Sequence, residues 1–313
     1  MGRAAETESR ARTPRRAFMG RRKSPRTRPG DCIRSHRRGA VMSDRPESQA
    51  GLPSAARADR DLALLARDEL RPVRLLLEYL KPELALQDRG VEATIVVFGS
   101  TRLVDRDNAL RAVDEARTNH DALRDAASEQ ELRACERRLA SAHYYDVARD
   151  FGNLAARKDG LTVVTGGGPG LMEAANRGAS EAGAPTVGLN IALPFEQASN
   201  PYLTPELSFE FRYFALRKLH FVQRARALVA FPGGYGTLDE LFDVLTLVQT
   251  GKQSPLPIVL VGRQFWDRAL DLDFLVDEGL IRQEDRQLVS YAETAEEIWN
   301  VIQAWHPSGE TEG

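Results

Sequence analysis

Cysteine is almost missing from this chain. There are two in 313 residues, Cys32 and Cys135, far apart and in no C-x-x-C spacing. That disfavours a disulfide framework and a cysteine-rich zinc site, and it suits a reducing cytoplasm. Histidine is also sparse: His36, His120, His143, His220 and His306 form no H-E-x-x-H or other ligand cluster. Each reads as a surface or packing residue, and no metal or other cofactor is expected. No apolar run approaches the roughly 18 residues that span a bilayer, and the N-terminus lacks the apolar core of a secretory signal. A cytoplasmic protein without membrane association is the expectation. A G-x-x-x-x-G-K-[ST] loop is missing too, which disfavours a P-loop NTPase, as is the acidic residue that NAD binding places beyond a G-x-G-x-x-G in the first βαβ unit. Hydride chemistry thereby loses its main support.

What is present is an ordinary globular composition, 42% apolar and 28% charged, with one asymmetry. Residues 1–41 carry 13 Lys and Arg against 3 Asp and Glu, a net of +10 that leaves −12 for the remainder. This arm, with "RRAFMGRRKSPRTRPG", has little apolar periodicity and cannot bury enough surface to offset its conformational entropy. It reads as a nucleic-acid-binding arm, an Arg-rich transit peptide, or sequence upstream of a true start at Met42, where "MSDRPESQ" resembles a normal bacterial N-terminus. The last reading is favoured, so nucleic acid is not expected as a partner. Residues 1–58 are expected to be a disordered tail and leader, 59–92 a helical leader, 93–306 the main domain and 307–313 a disordered C-terminus.

From Asp59 the chain becomes periodic. Leucines at helical spacing in "DLALLARDELRPVRLLLEYLKPELALQDRG", interrupted only by Pro72 and Pro82, predict the leader. "ATIVVFGSTR" predicts a strand and a glycine turn, and residues 107–157 one or two charged helices. "LTVVTGGGPGLMEAANRGASEAG" and "ALVAFPGGYGTLDELFDVLTLVQTGK" are each strand, turn and helix. "PTVGLNIALP", "LSFEFRYF" and "LPIVLVG" read as further strands, "ALRKLHFVQRA" and "TAEEIWNVIQAW" as helices. Continuously apolar strands alternating with helices indicate a Rossmann-like α/β fold, a doubly wound parallel sheet with helices on both faces.

In such sheets ligands bind beyond the carboxyl ends of the strands, where strand order reverses. Three glycine turns fall at that edge and would line one pocket: Gly99-Ser100-Thr101-Arg102, Gly166 to Gly170 with Gly167 and Gly168 inside it, and Gly233 to Thr237. Glycine lets the backbone turn sharply and approach a ligand, and the helix after Thr237 offers free N–H groups at its positive end. The combination is built for an anion, with phosphate the leading candidate. Asp239 and Glu240 lie in the first turn of that helix. A carboxylate there either stabilises the helix dipole or faces a sugar, where it would stabilise the positive charge that develops at a ribose C1′. Arg217 and Lys218 could orient phosphate and sugar.

"PGGYGTLDE", with "RK" upstream and "GGGPGLMEAANRGA" before that, resembles the LONELY GUY family of nucleoside 5′-monophosphate phosphoribohydrolases, long mislabelled lysine decarboxylases, over roughly residues 93–305. The resemblance implies a Rossmann-like subunit, dimeric or of higher order, that hydrolyses the N-glycosidic bond of a purine or cytokinin nucleotide to free base and ribose 5-phosphate. It puts Arg217 and Glu240 in catalytic roles, and Gly233, Gly234, Gly236 and Thr237 on the phosphate. Gly99, Ser100, Arg102, Gly167, Gly168, Glu173 and Lys218 would complete the substrate pocket. "GLNIALPFEQASNPYLTPELSFEFRYFALRK" marks a longer bacterial branch, whose helical leader and charged insert the compact plant-type members lack. The competing expectation is a nucleotide-binding or sensing protein of the same fold without catalysis.

Overall fold

The computed structural model describes residues 57–158, 160–192 and 199–306. The basic arm and the segment 307–313 lie outside the described residues. The leader consists of a 3₁₀ turn at Ala58–Arg60, α1 (Leu62–Ala66), a second 3₁₀ turn at Asp68–Leu70 and α2 (Arg71–Asp88). Pro72 sits in the first turn of α2, where its missing N–H costs nothing, and the helix then runs on through Pro82, forgoing one backbone bond instead of breaking there.

Strand β1 (Ala93–Phe98) follows, then α3 (Arg106–Leu123), α4 (Ala126–Ala140), α5 (His143–Ala156) and β2 (Leu161–Thr165). The charged segment therefore forms three helices where one or two were expected. Arg124 adopts a left-handed φ of 50° that ends α3, and the Asp125 side chain accepts from the Ser128 N–H to start α4. The chain continues through α6 (Leu171–Glu181), β3 (Thr186–Ile191), β4 (Ser208–Phe211), α7 (Phe214–Gln223), β5 (Ala225–Ala230) and α8 (Tyr235–Gln249). It closes with β6 (Ile258–Val261), three short helices α9 (Arg263–Ala269), α10 (Leu272–Asp277) and α11 (Gln283–Arg286), β7 (Val289–Ala292) and α12 (Ala295–Trp305). The edge strand β7 and the three helices before it were not expected from the sequence.

The seven strands form one sheet in the order β4-β3-β2-β1-β5-β6-β7, every pair parallel. Alternation of side chains sends β1 to both faces. Ile95 and Val97 pack with Phe151 of α5, Leu171 of α6 and Ile298 of α12, while Val96 and Phe98 pack with Phe221 of α7 and Leu241 of α8. Each fully buried side chain of this size contributes roughly 1.5–3 kcal/mol. Helices α5 and α6 meet closely because glycines face the contact: a Cβ on Gly152 would stand 2.1 Å from the Ala175 carbonyl oxygen, and one on Gly178 would stand 1.8 Å from that of Arg149. The consequence for function is topological. The chain builds outward from β1 to β4, then α7 carries it back so that β5 pairs with β1 on the other side, and strand order reverses between β1 and β5.

Candidate active site

Beyond the reversal point the three glycine turns are laced together. The Ser100 N–H donates to the Pro232 carbonyl at 3.0 Å, and the Leu171 N–H donates to the Ser100 carbonyl at 3.0 Å. Gly170, with φ of 73°, brings its backbone so near the first turn that a Cβ would lie 2.4 Å from the Ser100 carbonyl oxygen. The middle turn rests on a buried polar network. Thr165 Oγ1 accepts from the Gly167 N–H at 2.9 Å and donates to Asn176 Oδ1 at 2.7 Å, and Asn200 Nδ2 donates to the Gly168 carbonyl at 3.1 Å.

Together the turns bound a cavity of about 600 Å³. Gly99, Ser100, Thr101 and Arg102 line it from the first turn, Gly166, Gly168 and Met172 from the second, and Gly234 to Thr237 with Glu240 from the third. Phe214 and Arg217 enter from α7, and Asn190 and Ile191 from the end of β3. Helix α8 begins after Gly234 with no side-chain cap, and the N–H groups of Tyr235, Gly236 and Thr237 donate to no backbone acceptor among the described residues. They are the orphan donors of a helix start, an arrangement that suits an anion.

Glu240 lies one turn further into α8 and is 5% exposed. Burial pushes its carboxyl up to about 7, against the opposing pull of Arg217 and Lys218. The Arg217 guanidinium stands 3.7 Å from Glu240 Oε1, beyond hydrogen-bond distance, and its Nε has no hydrogen-bond partner. Burial lowers the Arg217 pKa, with the charges of Glu240 and Asp239 working the other way. The two groups thus share a corner of the cavity without a hydrogen bond between them, and each keeps capacity for a ligand.

Four of the expected contact residues stand outside the cavity lining. Glu173 follows Met172 on α6, and the roughly 100° between neighbouring helix positions turns it away, so that it accepts from the Tyr145 hydroxyl at 3.2 Å. Lys218 is rotated from Arg217 in the same way and pairs with Asp239 at 2.9 Å on the outer side of α8. Gly233 lies under Thr237, whose Oγ1 would be 2.1 Å from a Cβ there, and Gly167, at φ 72°, is covered by the Asn190 amide. Both glycines shape loops and do not face the cavity. Conversely Phe98, Met172, Asn190, Ile191 and Phe214 line it without having been singled out, while Thr101 and Tyr235 line it from the turns expected to do so. A signal existed for some of them: Asn190 and Ile191 end a strand at the ligand-bearing edge, and Phe214 precedes Arg217 by one helical turn.

Comparison with known proteins bears on this site. A family model described as "possible lysine decarboxylase" matches residues 172–302. A cytokinin riboside 5′-monophosphate phosphoribohydrolase of Arabidopsis thaliana, LOG4, is 31% identical over 174 residues, which are 54% of this chain and 78% of that protein. The chain belongs to the LONELY GUY family. A second family member, the cytokinin riboside 5′-monophosphate phosphoribohydrolase LOG of Oryza sativa subsp. japonica, is 30% identical over 54% of this chain and 70% of its own. Among solved structures, a molybdenum cofactor binding protein of Rippkaea orientalis aligns at 17% identity and a TM-score of 0.42, over 68% of this chain and 96% of that one. Among the described residues of this LONELY GUY chain, no helix is long and apolar enough to cross a membrane. Nor is there any group of three His, Cys, Asp or Glu side chains placed as metal ligands would be.

Proposed function

We propose that this protein hydrolyses the N-glycosidic bond of a purine or cytokinin nucleoside 5′-monophosphate, giving the free base and ribose 5-phosphate. The observation that carries the reading is the buried Glu240 carboxyl, 3.7 Å from Arg217, in the same cavity as the uncapped start of α8. The uncapped N–H groups and Thr237 suit the 5′-phosphate. Glu240 lies four positions beyond Gly236, roughly 6 Å along a helix, a reach that suits a ribose between phosphate and carboxylate.

As the C1′–N bond breaks, its electron pair leaves with the base and positive charge grows on the sugar. An ionised Glu240 stabilises that charge and takes a proton from the water whose oxygen bonds to C1′; an equivalent proton passes from Glu240 or solvent to the departing base, so that one water is added across the bond. A carboxyl near 7 is divided between its two forms at neutral pH, as a proton-transferring group requires. Arg217 holds the nucleotide in register. A lysine decarboxylase would need a Schiff-base lysine, and among the described residues no lysine lines the cavity.

Incubation with a panel of nucleoside 5′-monophosphates, followed by chromatography for free base, tests the proposal. Release of base and ribose 5-phosphate in equal amounts is the expected result. Tight binding of a nucleotide that is never cleaved would replace hydrolysis with sensing.

A further inference from the structure

Helix α2 holds α7 at both ends. The Glu78 carboxylate accepts the backbone N–H of Arg212 at 2.9 Å and that of Tyr213 at 3.2 Å. Tyr213 is the N-cap of α7, and its own side chain caps nothing. Glu83, five residues further along α2, accepts two bonds from Arg224, at 2.8 and 2.6 Å, where α7 ends. Between these attachments the Tyr79 ring stacks on His220 with centroids 5.3 Å apart.

Arg217 projects into the cavity from the first turn of this clamped helix. Its N–H donates to the Tyr213 carbonyl at 3.3 Å, so its backbone is tied to the residue whose N–H Glu78 holds. Among the described residues its guanidinium has no equivalent tether: Nε is unpartnered and Glu240 is 3.7 Å away. The place of the charge is therefore set by where α7 begins. We infer that Glu78 is a positioning residue for the reaction, fixing the start of α7 from the leader helix and thereby the distance from Arg217 to Glu240. The inference rests on the reading of Arg217 and Glu240 as the hydrolytic pair. It gives the leader a function in the site even though no leader residue lines the cavity.

The test reads Arg217 through its neighbour. In the full-length protein, the Glu240 carboxyl is titrated by carbon-13 NMR, in parallel with kcat and KM for the best nucleotide. The Glu240 carboxyl also feels Lys218, Asp239 and Asp243, none of which Glu78 touches. Withdrawal of Arg217 removes the favourable charge nearest to it, so Glu78→Ala should move the Glu240 midpoint upward by about half a unit or more. kcat should fall about 10- to 100-fold, with a smaller change in KM, as expected for misalignment of a contacting group. Glu78→Gln keeps one carbonyl acceptor and should fall between the wild type and Glu78→Ala. If Glu78→Ala does not fold, Glu78→Gln carries the same comparison. Glu293→Ala is the control: Glu293 accepts the Arg263 N–H at 2.9 Å at the start of α9, outside the cavity lining, and its loss should leave the midpoint unmoved.

A folded Glu78 variant with an unmoved midpoint overturns the inference, and so does one whose midpoint moves no further than that of Glu293→Ala. The titration needs no turnover. A shifted midpoint in a protein that cleaves no nucleotide would leave the positioning role standing and remove the hydrolytic reading.

Discussion

The Arg217 guanidinium and the Glu240 carboxylate stand 3.7 Å apart and are not hydrogen-bonded to each other, Glu240 buried and the Arg217 side chain 12% exposed. A buried ion pair that stabilises a fold is normally closer and fully bonded, because desolvation of two charges is otherwise poorly offset. Here Arg217 is packed instead against the Phe221 ring, 5.2 Å from its centroid, and its Nε is left without a partner. The arrangement costs stability and leaves binding capacity open, which is the balance expected of a site that completes itself around a ligand.

That cost is measurable as a pH dependence. The Glu240 carboxyl lies at about 7 in the folded chain, against an ordinary value of 4.5. Between those values the folded state binds more protons than the unfolded one, so stability falls as pH rises through the window and levels above it. Glutamine does not titrate. The stability of Glu240→Gln minus that of the wild type should therefore be small near pH 4.5, grow up to pH 7 and then stay level, with a ceiling of about 3 kcal/mol. Urea unfolding at a series of pH values checks this, and a pH-independent difference would contradict the raised carboxyl.

Phosphate should be a required handle. The α8 start offers the unpartnered N–H groups of Tyr235, Gly236 and Thr237. Charge-assisted bonds contribute roughly 1.5–3 kcal/mol each before the phosphate is desolvated. AMP should bind at least tenfold more tightly than adenosine in calorimetry, with the advantage shrinking at high salt. Equal affinity for the two would remove the phosphate from this loop.

The parts of this molecule that could be read from its sequence are those where one residue type has one physical use. Strands β1, β2, β5 and β6 are short apolar runs ending in glycine or in Pro-Gly-Gly, and the glycine turns after β1, β2 and β5 meet at one cavity. β7 was not legible because "VSYA" is four residues long, at the sheet edge, with two of its residues only partly buried. The break between α3 and α4 was hidden because a left-handed Arg124 does what a glycine or proline would have announced. Within the site, residue identity was easier to read than direction. Arg217 and Lys218 are adjacent, as are Met172 and Glu173, and a rotation of roughly 100° per residue puts one of each pair in the cavity and the other outside. Only the helix's orientation on the sheet decides which, and that is a tertiary fact.

The contact between α5 and α6 predicts a stability effect remote from the site. A Cβ on Gly178 would lie 1.8 Å from the Arg149 carbonyl oxygen and 2.8 Å from the Asn153 backbone nitrogen. Both neighbours are backbone, so the helices themselves would have to separate. Gly178→Ala should lower stability by about 1–3 kcal/mol or more, although alanine favours helix by up to about 1 kcal/mol elsewhere. Gly236→Ala, with nothing within 4 Å of its Cβ, should cost much less. Comparison of denaturant midpoints decides between crowding and propensity.

The mechanism is tested by separating charge from shape at three positions. Glu240→Gln keeps the volume of the side chain and removes the carboxylate, so nucleotide binding should survive while kcat falls about 10²- to 10⁴-fold, the range for a positioned acid–base or electrostatic group. Arg217→Ala should weaken both binding and turnover, because in the proposed mechanism Arg217 both contacts the bound nucleotide and aligns the reacting bond. Asp239 is the neighbour that could be mistaken for the working carboxylate. It is paired with Lys218 at 2.9 Å and lies outside the cavity lining, so Asp239→Asn should change kcat by only a few-fold. Should Glu240→Gln release base at a near-normal rate while Asp239→Asn does not, the pairing with Lys218 would not describe the working enzyme, and the reaction would have to be rebuilt around Asp239.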